Sequence, residues 1–163
     1  MSEIFITRIS IPQDNIDAVV NLLNTQLANS AAAQMMIKFG HWNVKGEGFW
    51  ATHKLFDEIY ECTVDATDDI GERIGSLGGV AEGLPEQVTG HCKLSDYSAN
   101  RGNEPVRGHL EAMADLIGQL ANEYRAAADI CSQTGDRISE DLMTKLAGDM
   151  DHKLYFIEAH LRA

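Results

Sequence analysis

Basic residues are scarce in this chain: 13 Lys and Arg stand against 25 Asp and Glu, leaving a formal net charge of −12 over 163 residues. Such a surface repels the phosphates of nucleic acids and anionic lipids and draws in cations. The first 37 residues hold one basic side chain, Arg8, against Glu3, Asp14 and Asp17, and Arg162 alone follows the last helix-like segment. Cysteine is equally sparse. Cys62, Cys92 and Cys131 are odd in number, widely spaced and form no C-x-x-C pair. That excludes a disulfide framework and a thiolate zinc site, and predicts a reducing cytoplasm with the three as buried, unreactive thiols. No apolar run approaches the roughly 18 residues of a membrane span. Met1-Ser2-Glu3-Ile4 lacks the basic start and long apolar stretch of a secretory signal.

What is present is helical periodicity. At 44% hydrophobic the chain has enough apolar surface for one domain with a full core, residues 1–163, with 1–13 as an N-terminal extension. Ile16, Val20, Leu23, Leu27 and Ala31 mark one face of a first helix, opened by Asp14 as N-cap and running to about Gly40. Trp42 to Gly48 reads as a loop. A second helix spans Phe49 to about Leu77, with Gly78-Gly79 as its stop. A looser stretch, Ala81 to Gly102, leaves room for a short helix over Leu94-Ser95-Asp96-Tyr97. Glu104-Pro105 opens the next long helix, carrying Leu110, Met113, Leu120, Tyr124 and Cys131, and Gly135 ends it. Ile138 to about His160 forms the last. Four long helices with no strand signal predict an all-α four-helix bundle, and the long middle connection lets its flanking helices run parallel.

Five side chains carry the chemistry. His41, His53, Asp57, Asp68 and Glu72 are all types that bind divalent metals, and the last four form H-x-x-x-D and D-x-x-x-E pairs. Residues four apart share a helix face, so each pair can close on one ion. The eleven residues from Asp57 to Asp68 are about three turns, which keeps both pairs on one stripe but separates them by roughly 16 Å. One helix therefore cannot bring both pairs to the same ion. A second copy, antiparallel across a two-fold axis, can: His53 and Asp57 of one subunit then face Asp68 and Glu72 of the other. The Glu-x-x-His motif by which di-iron bundles hold metal inside one bundle is absent.

The segment His41-Trp42-Asn43-Val44-Lys45-Gly46, then His53, Asp57, Asp68 and Glu72, and Leu77-Gly78-Gly79-Val80-Ala81 after them, closely resembles the DNA-binding proteins from starved cells, the mini-ferritins called Dps. Phe156-Ile157-Glu158-Ala159-His160 matches the same family, and the resemblance runs from about Asn21 onward. It implies a ferritin-like bundle with a short helix in its middle connection, assembled as a hollow homododecamer. It also implies di-iron ferroxidase centres at dimer interfaces, with His41, His53 and Asp57 from one subunit and Asp68 and Glu72 from its partner. In such proteins Fe(II) is oxidised, preferably by hydrogen peroxide, and stored as ferric mineral, which suppresses hydroxyl-radical chemistry near DNA. Carboxylate and imidazole ligands suit both iron oxidation states. Glu72 suits a bridge between two irons, and His41, His53 and Asp57 suit terminal ligation. Trp42, directly after a ligand, is the better candidate for quenching stray radicals, with Trp50 behind it.

Glu61, Asp65 and Asp69 flank the ligand stripe as surface or supporting groups. His91, His109, His152 and His160 have no matching partner and read as structural or exposed. Asp136, Glu140, Asp141 and Asp149 occupy the region that lines three-fold pores in the family, Asp141 first and Asp149 next. Without a basic tail, and with twelve copies at −12 each carrying about −144, direct DNA binding is expected to be weak or absent. The alternatives are a nucleoid-associated, DNA-condensing protein and a zinc- or manganese-binding bundle without turnover.

Overall fold

The computed structural model describes residues 5–99 and 104–162. Five helices follow in order: α1 Gln13–Asn43, α2 Phe49–Ser76, α3 Pro85–His91, α4 Val106–Thr134 and α5 Arg137–Leu161. Among the described residues there is no strand, and no helix is long and apolar enough to cross a membrane.

Helix ends follow the punctuation in the sequence, with small shifts. α1 opens two residues earlier than a cap at Asp14 would allow, because the Pro12 carbonyl accepts from Asn15 and Ile16 (3.0 and 3.1 Å). Asp14 sits inside the first turn, where the positive end of the helix dipole favours an acid. At its other end α1 runs on to Asn43, so His41 and Trp42 lie in its last turn and not in the following loop. The Val44 amide closes that turn on the Gly40 carbonyl at 2.9 Å. α2 is terminated just past its Leu77 C-cap by Gly78, whose φ of 82° is open to glycine at little cost, and the Gly79 amide bonds back to the Ile74 carbonyl at 3.0 Å. Gly135 (φ 78°) ends α4 the same way, with Asp136 N bonded to Cys131 O at 3.1 Å.

The short helix starts nine residues earlier than expected. It forms over Pro85–His91, where Pro85 pre-sets the first turn and the Gln87 side chain accepts from the Leu84 amide at 3.0 Å. Leu94–Tyr97 is not helical. The Lys93 amide donates to Asn29 Oδ1 (2.8 Å), Ser95 N to Gln119 Oε1 (3.0 Å), and Gln119 Nε2 to the Lys93 carbonyl (3.3 Å). Side chains of α1 and α4 thus take the backbone groups that a helix would need.

Contacts between helices fix their directions. Asn15 meets Thr134, Ser30 meets Tyr124 and Gly40 meets Met113, so α1 and α4 are antiparallel. Gln34 bonds Thr67 and His41 meets His53, so α1 and α2 are antiparallel too. α2 and α4 therefore run parallel, as the long connection between them permits. α5 returns along α4, with Arg125 on Asp151 and Arg107 on the Leu161 carbonyl. The bundle interior is filled by Leu23, Ile37, Phe56, Ile59, Ile70, Ile74, Met113, Ile117, Leu120 and Met150, each fully buried. Cys131 shares that core, its thiol pushed up to about 12 by burial, and Cys62 and Cys92 are half-buried; all three are free.

Candidate metal centre

The α1–α2 hairpin builds the centre. Its short loop, with positive-φ Gly46 and Gly48, returns the chain so that the last turn of α1 lies beside the first turns of α2. His41 from α1 and His53 and Asp57 from α2 then offer one ligand atom each within 4.8 Å of one another. Among the described residues this is the one such group of three.

The two imidazoles brace each other. His41 Nδ1 donates to the His53 carbonyl and His53 Nδ1 donates to the His41 carbonyl, each at 3.0 Å. A carbonyl can only accept, so both Nδ1 atoms carry protons, which in a neutral ring leaves Nε2 as the nitrogen with a lone pair for a metal. The rings stack at 3.7 Å between centroids. This is the outer-sphere bonding that orients metal-ligating histidines. Burial lowers the His41 pKa, partly opposed by its bond to the His53 carbonyl and by Asp57, so the ring is held in the neutral, ligating form.

Asp57 is set by hydrogen-bond donors, two of them lysines. Lys38 Nζ lies 2.8 Å from its Oδ1, His41 Nδ1 at 3.2 Å and Lys54 Nζ at 3.9 Å from Oδ2. Burial works to raise its pKa, but the Lys38 hydrogen bond and the surrounding positive charges outweigh it and hold the carboxyl below the usual range. Lys38, also seated over the Tyr60 ring at 4.4 Å, was not singled out by sequence reasoning. Its only signal is its position three residues before His41, one turn back on the same face.

Asp68 and Glu72 do not join this group. Both are exposed on α2, lining a shallow groove with Gln34, Val64, Thr67 and Gly71. Trp42 and Trp50 are both exposed, and the Trp50 ring runs nearly parallel to His53 at 6.3 Å and lies under Lys54. Of the acids near the α4–α5 turn, Asp136 is 1% exposed and paired with Arg73 at 2.8 Å, which takes it out of any pore lining. Asp141 is exposed beside Arg137 and Glu140 around a surface hollow, and Asp149 pairs with Lys145 at 3.2 Å. Asp69 meets the same lysine at 3.6 Å. His91 pairs with Glu82 at 2.8 Å, His152 and His160 are exposed, and His109 is fully buried.

Two imidazole nitrogens and a carboxylate at this spacing fit a borderline divalent ion such as Fe(II), and leave coordination positions for further ligands. Comparison with known proteins agrees in kind. The family described as Ferritin-like domain matches residues 20–163. The DNA protection during starvation protein of Agrobacterium fabrum is 33% identical over 156 residues, covering 96% of this chain and 95% of the relative. The Mycobacterium smegmatis Dps structure in its tetragonal form superposes with a TM-score of 0.90 at 27% identity, covering 99% of this chain and 94% of that one. DpsA14 from Streptomyces coelicolor superposes at 0.89 and 30% identity, over 95% and 90%. Sequence, fold and donor set converge: this chain belongs to the ferritin-like family, among the Dps mini-ferritins.

Proposed function

We infer that this protein oxidises Fe(II), with hydrogen peroxide as the preferred oxidant, at sites shared between two subunits, and stores the ferric product inside a cytoplasmic homododecamer. The observation that carries this is the split of the donor set. His41, His53 and Asp57 form one half-site on the open face of the α1–α2 pair. Asp68 and Glu72 wait about three turns along the same helix with no cation within reach among the described pairs. A two-fold related copy of α2 superposes each half on the other, giving two complete sites per dimer.

Each group has a task in that arrangement. The paired imidazoles supply nitrogen donors whose orientation is fixed by their Nδ1–carbonyl bonds. Asp57, Asp68 and Glu72 supply the anionic oxygens that favour Fe(III) over Fe(II) and so drive electron transfer. Removal of iron and peroxide together would protect DNA without contact.

Complementation tests the sharing. Asp68→Ala with Glu72→Ala, and separately His53→Ala with Asp57→Ala, should each abolish rapid peroxide-driven Fe(II) oxidation while assembly persists. Co-expressed in equal amounts, the two variants should regain about a quarter of wild-type activity, because half of random dimers carry one intact site of two. No recovery in a well-formed mixed assembly refutes shared sites. Tight metal binding without Fe(II) oxidation in the wild type would instead make this a passive zinc- or manganese-binding bundle.

A further inference from the structure

Behind the last turn of α1, on its core side, lies a phenol–imidazole pair to which the iron chemistry above gives no task. Tyr97, 7% exposed, comes from the extended segment after α3, and His109 is fully buried on α4. The phenol O–H has two acceptors in reach, the His109 backbone carbonyl at 3.2 Å and, in the tautomer protonated on Nε2, Nδ1 of the same residue at 3.3 Å, with the ring centroids 6.1 Å apart. The same oxygen presses on Gly40: a β-carbon built there would come within 2.6 Å of it. Gly40 is bonded to His41. One van der Waals contact and one peptide link therefore separate the phenol from a metal-ligating residue.

A buried tyrosine is ordinarily a packing residue with a satisfied hydroxyl. Tyr124 is of that kind, its oxygen 2.6 Å from the Ser30 hydroxyl. Tyr97 differs in having a base as partner. Burial, with Glu104 adding to it, pushes the Tyr97 phenol well above the ordinary tyrosine range, and burial lowers His109, which is thus a neutral imidazole. A phenol held so firmly in its protonated form gives up an electron only if its proton leaves at the same time, and a neutral imidazole at hydrogen-bond distance can take it.

We propose, resting on the iron-oxidising reading above, that Tyr97 is a one-electron donor to the centre and that His109 receives its proton. One Fe(II) reducing hydrogen peroxide by a single electron yields Fe(III), hydroxide and a hydroxyl radical. Tyr97 supplies the second electron through Gly40 and His41. Its O–H bond breaks, the proton passes to Nδ1 of His109, the hydroxyl radical becomes hydroxide, and a neutral phenoxyl remains. A later Fe(II) returns one electron and the imidazolium returns the proton, restoring the phenol and leaving Fe(III). The pair thus matters when iron arrives singly, so that the centre lacks the second electron for complete peroxide reduction.

Freeze-quench electron paramagnetic resonance tests this on the assembled protein, given limiting Fe(II) and then peroxide, with Fe(II) consumption followed in the same samples. Wild type should show a radical whose spectrum narrows when the protein is made with deuterated tyrosine. The signal should vanish in Tyr97→Phe and persist in Tyr60→Phe and Tyr155→Phe. In His109→Gln the largest g value, read at high field, should rise, since the radical oxygen loses a charged hydrogen-bond donor; a purely structural role would leave it unmoved. The proposal is overturned by a signal that survives in Tyr97→Phe or disappears in Tyr60→Phe. A spectrum insensitive to the label, which assigns the radical to Trp42 or Trp50, overturns it too, as does rapid Fe(II) consumption with no radical. Fe(II) oxidation no faster than in protein-free buffer would sink the iron-oxidising reading itself, and this one with it.

Discussion

Lys38 shows how one side chain sets the starting state of the proposed metal centre. Its ammonium lies 2.8 Å from Asp57 Oδ1, so a divalent ion approaching that oxygen must displace a cation already there. Both side chains are partly exposed, at 22% and 30%, so solvent screens the pair and the competition is moderate. Lys38→Ala is therefore expected to tighten binding of Co(II), a spectroscopic stand-in for Fe(II), on the order of tenfold at neutral pH. Titration by visible absorbance measures this. Weaker binding in the variant would mean that Lys38 holds Asp57 in its ligating rotamer, and the competition argument would fall. Neither outcome was legible in the sequence, where a lysine on a helix reads as a solvated charge; its meaning comes from α2 laying Asp57 across it.

Between elements, the tie that matters most is the buried network joining α2 to the α4–α5 turn. Arg73 near the end of α2 donates from Nη2 to both Asp136 oxygens (2.8 and 2.9 Å) and from Nε to the Ser139 hydroxyl (2.9 Å). Asp136 also caps α5, accepting from the Ser139 amide at 3.1 Å. It anchors the half of α2 that carries Asp68 and Glu72. Burial acts to raise the Asp136 pKa, but the Ser139 bonds and the Arg73 guanidinium outweigh it and hold the carboxyl below its ordinary value. A depressed folded-state pKa contributes stability that is complete above the unfolded value, near pH 4, and is lost as pH falls through the lower folded value. Asp136→Asn is expected to cost about 3 kcal/mol near neutral pH, because Arg73 is left buried without its anion. In iron-free protein, unfolding midpoints followed against pH should start to approach each other below about pH 4 and meet only once pH has fallen through the lower folded value. A gap that stays constant into strong acid would show that packing, not charge, is the cause.

For the assembled particle, electrostatics decides the partner. A dodecamer of chains at −12, as proposed above, would present phosphates with a repulsive surface, and the N-terminal 37 residues offer Arg8 alone as a counter-charge. Gel-shift at low ionic strength and neutral pH, without added divalent cation, is expected to show no retarded DNA. Tight complexes under those conditions would restore the DNA-condensing alternative. Protection of DNA against Fe(II) and peroxide should persist even so, and should disappear in the Asp68→Ala, Glu72→Ala variant.

Periodicity, glycine stops and ligand spacing belong to local chemistry, which is why the sequence by itself determined the four long helices and the impossibility of the His53/Asp57 and Asp68/Glu72 pairs meeting on one ion within one helix, while family resemblance grouped His41 with the first pair. A 3.6-residue repeat and a 1.5 Å rise require nothing beyond the chain's own order. Other features depend on which atoms of distant segments meet, and only the tertiary structure decided them. It moved the short helix to Pro85–His91, since the side chains of Asn29 and Gln119 claim the backbone of Lys93 and Ser95. It buried Asp136 against Arg73, placed Lys38 on Asp57, and set Tyr97 and His109 behind His41. Each of these is a long-range contact between polar groups, invisible to hydrophobic pattern because the pattern records which face is buried and not what it is buried against.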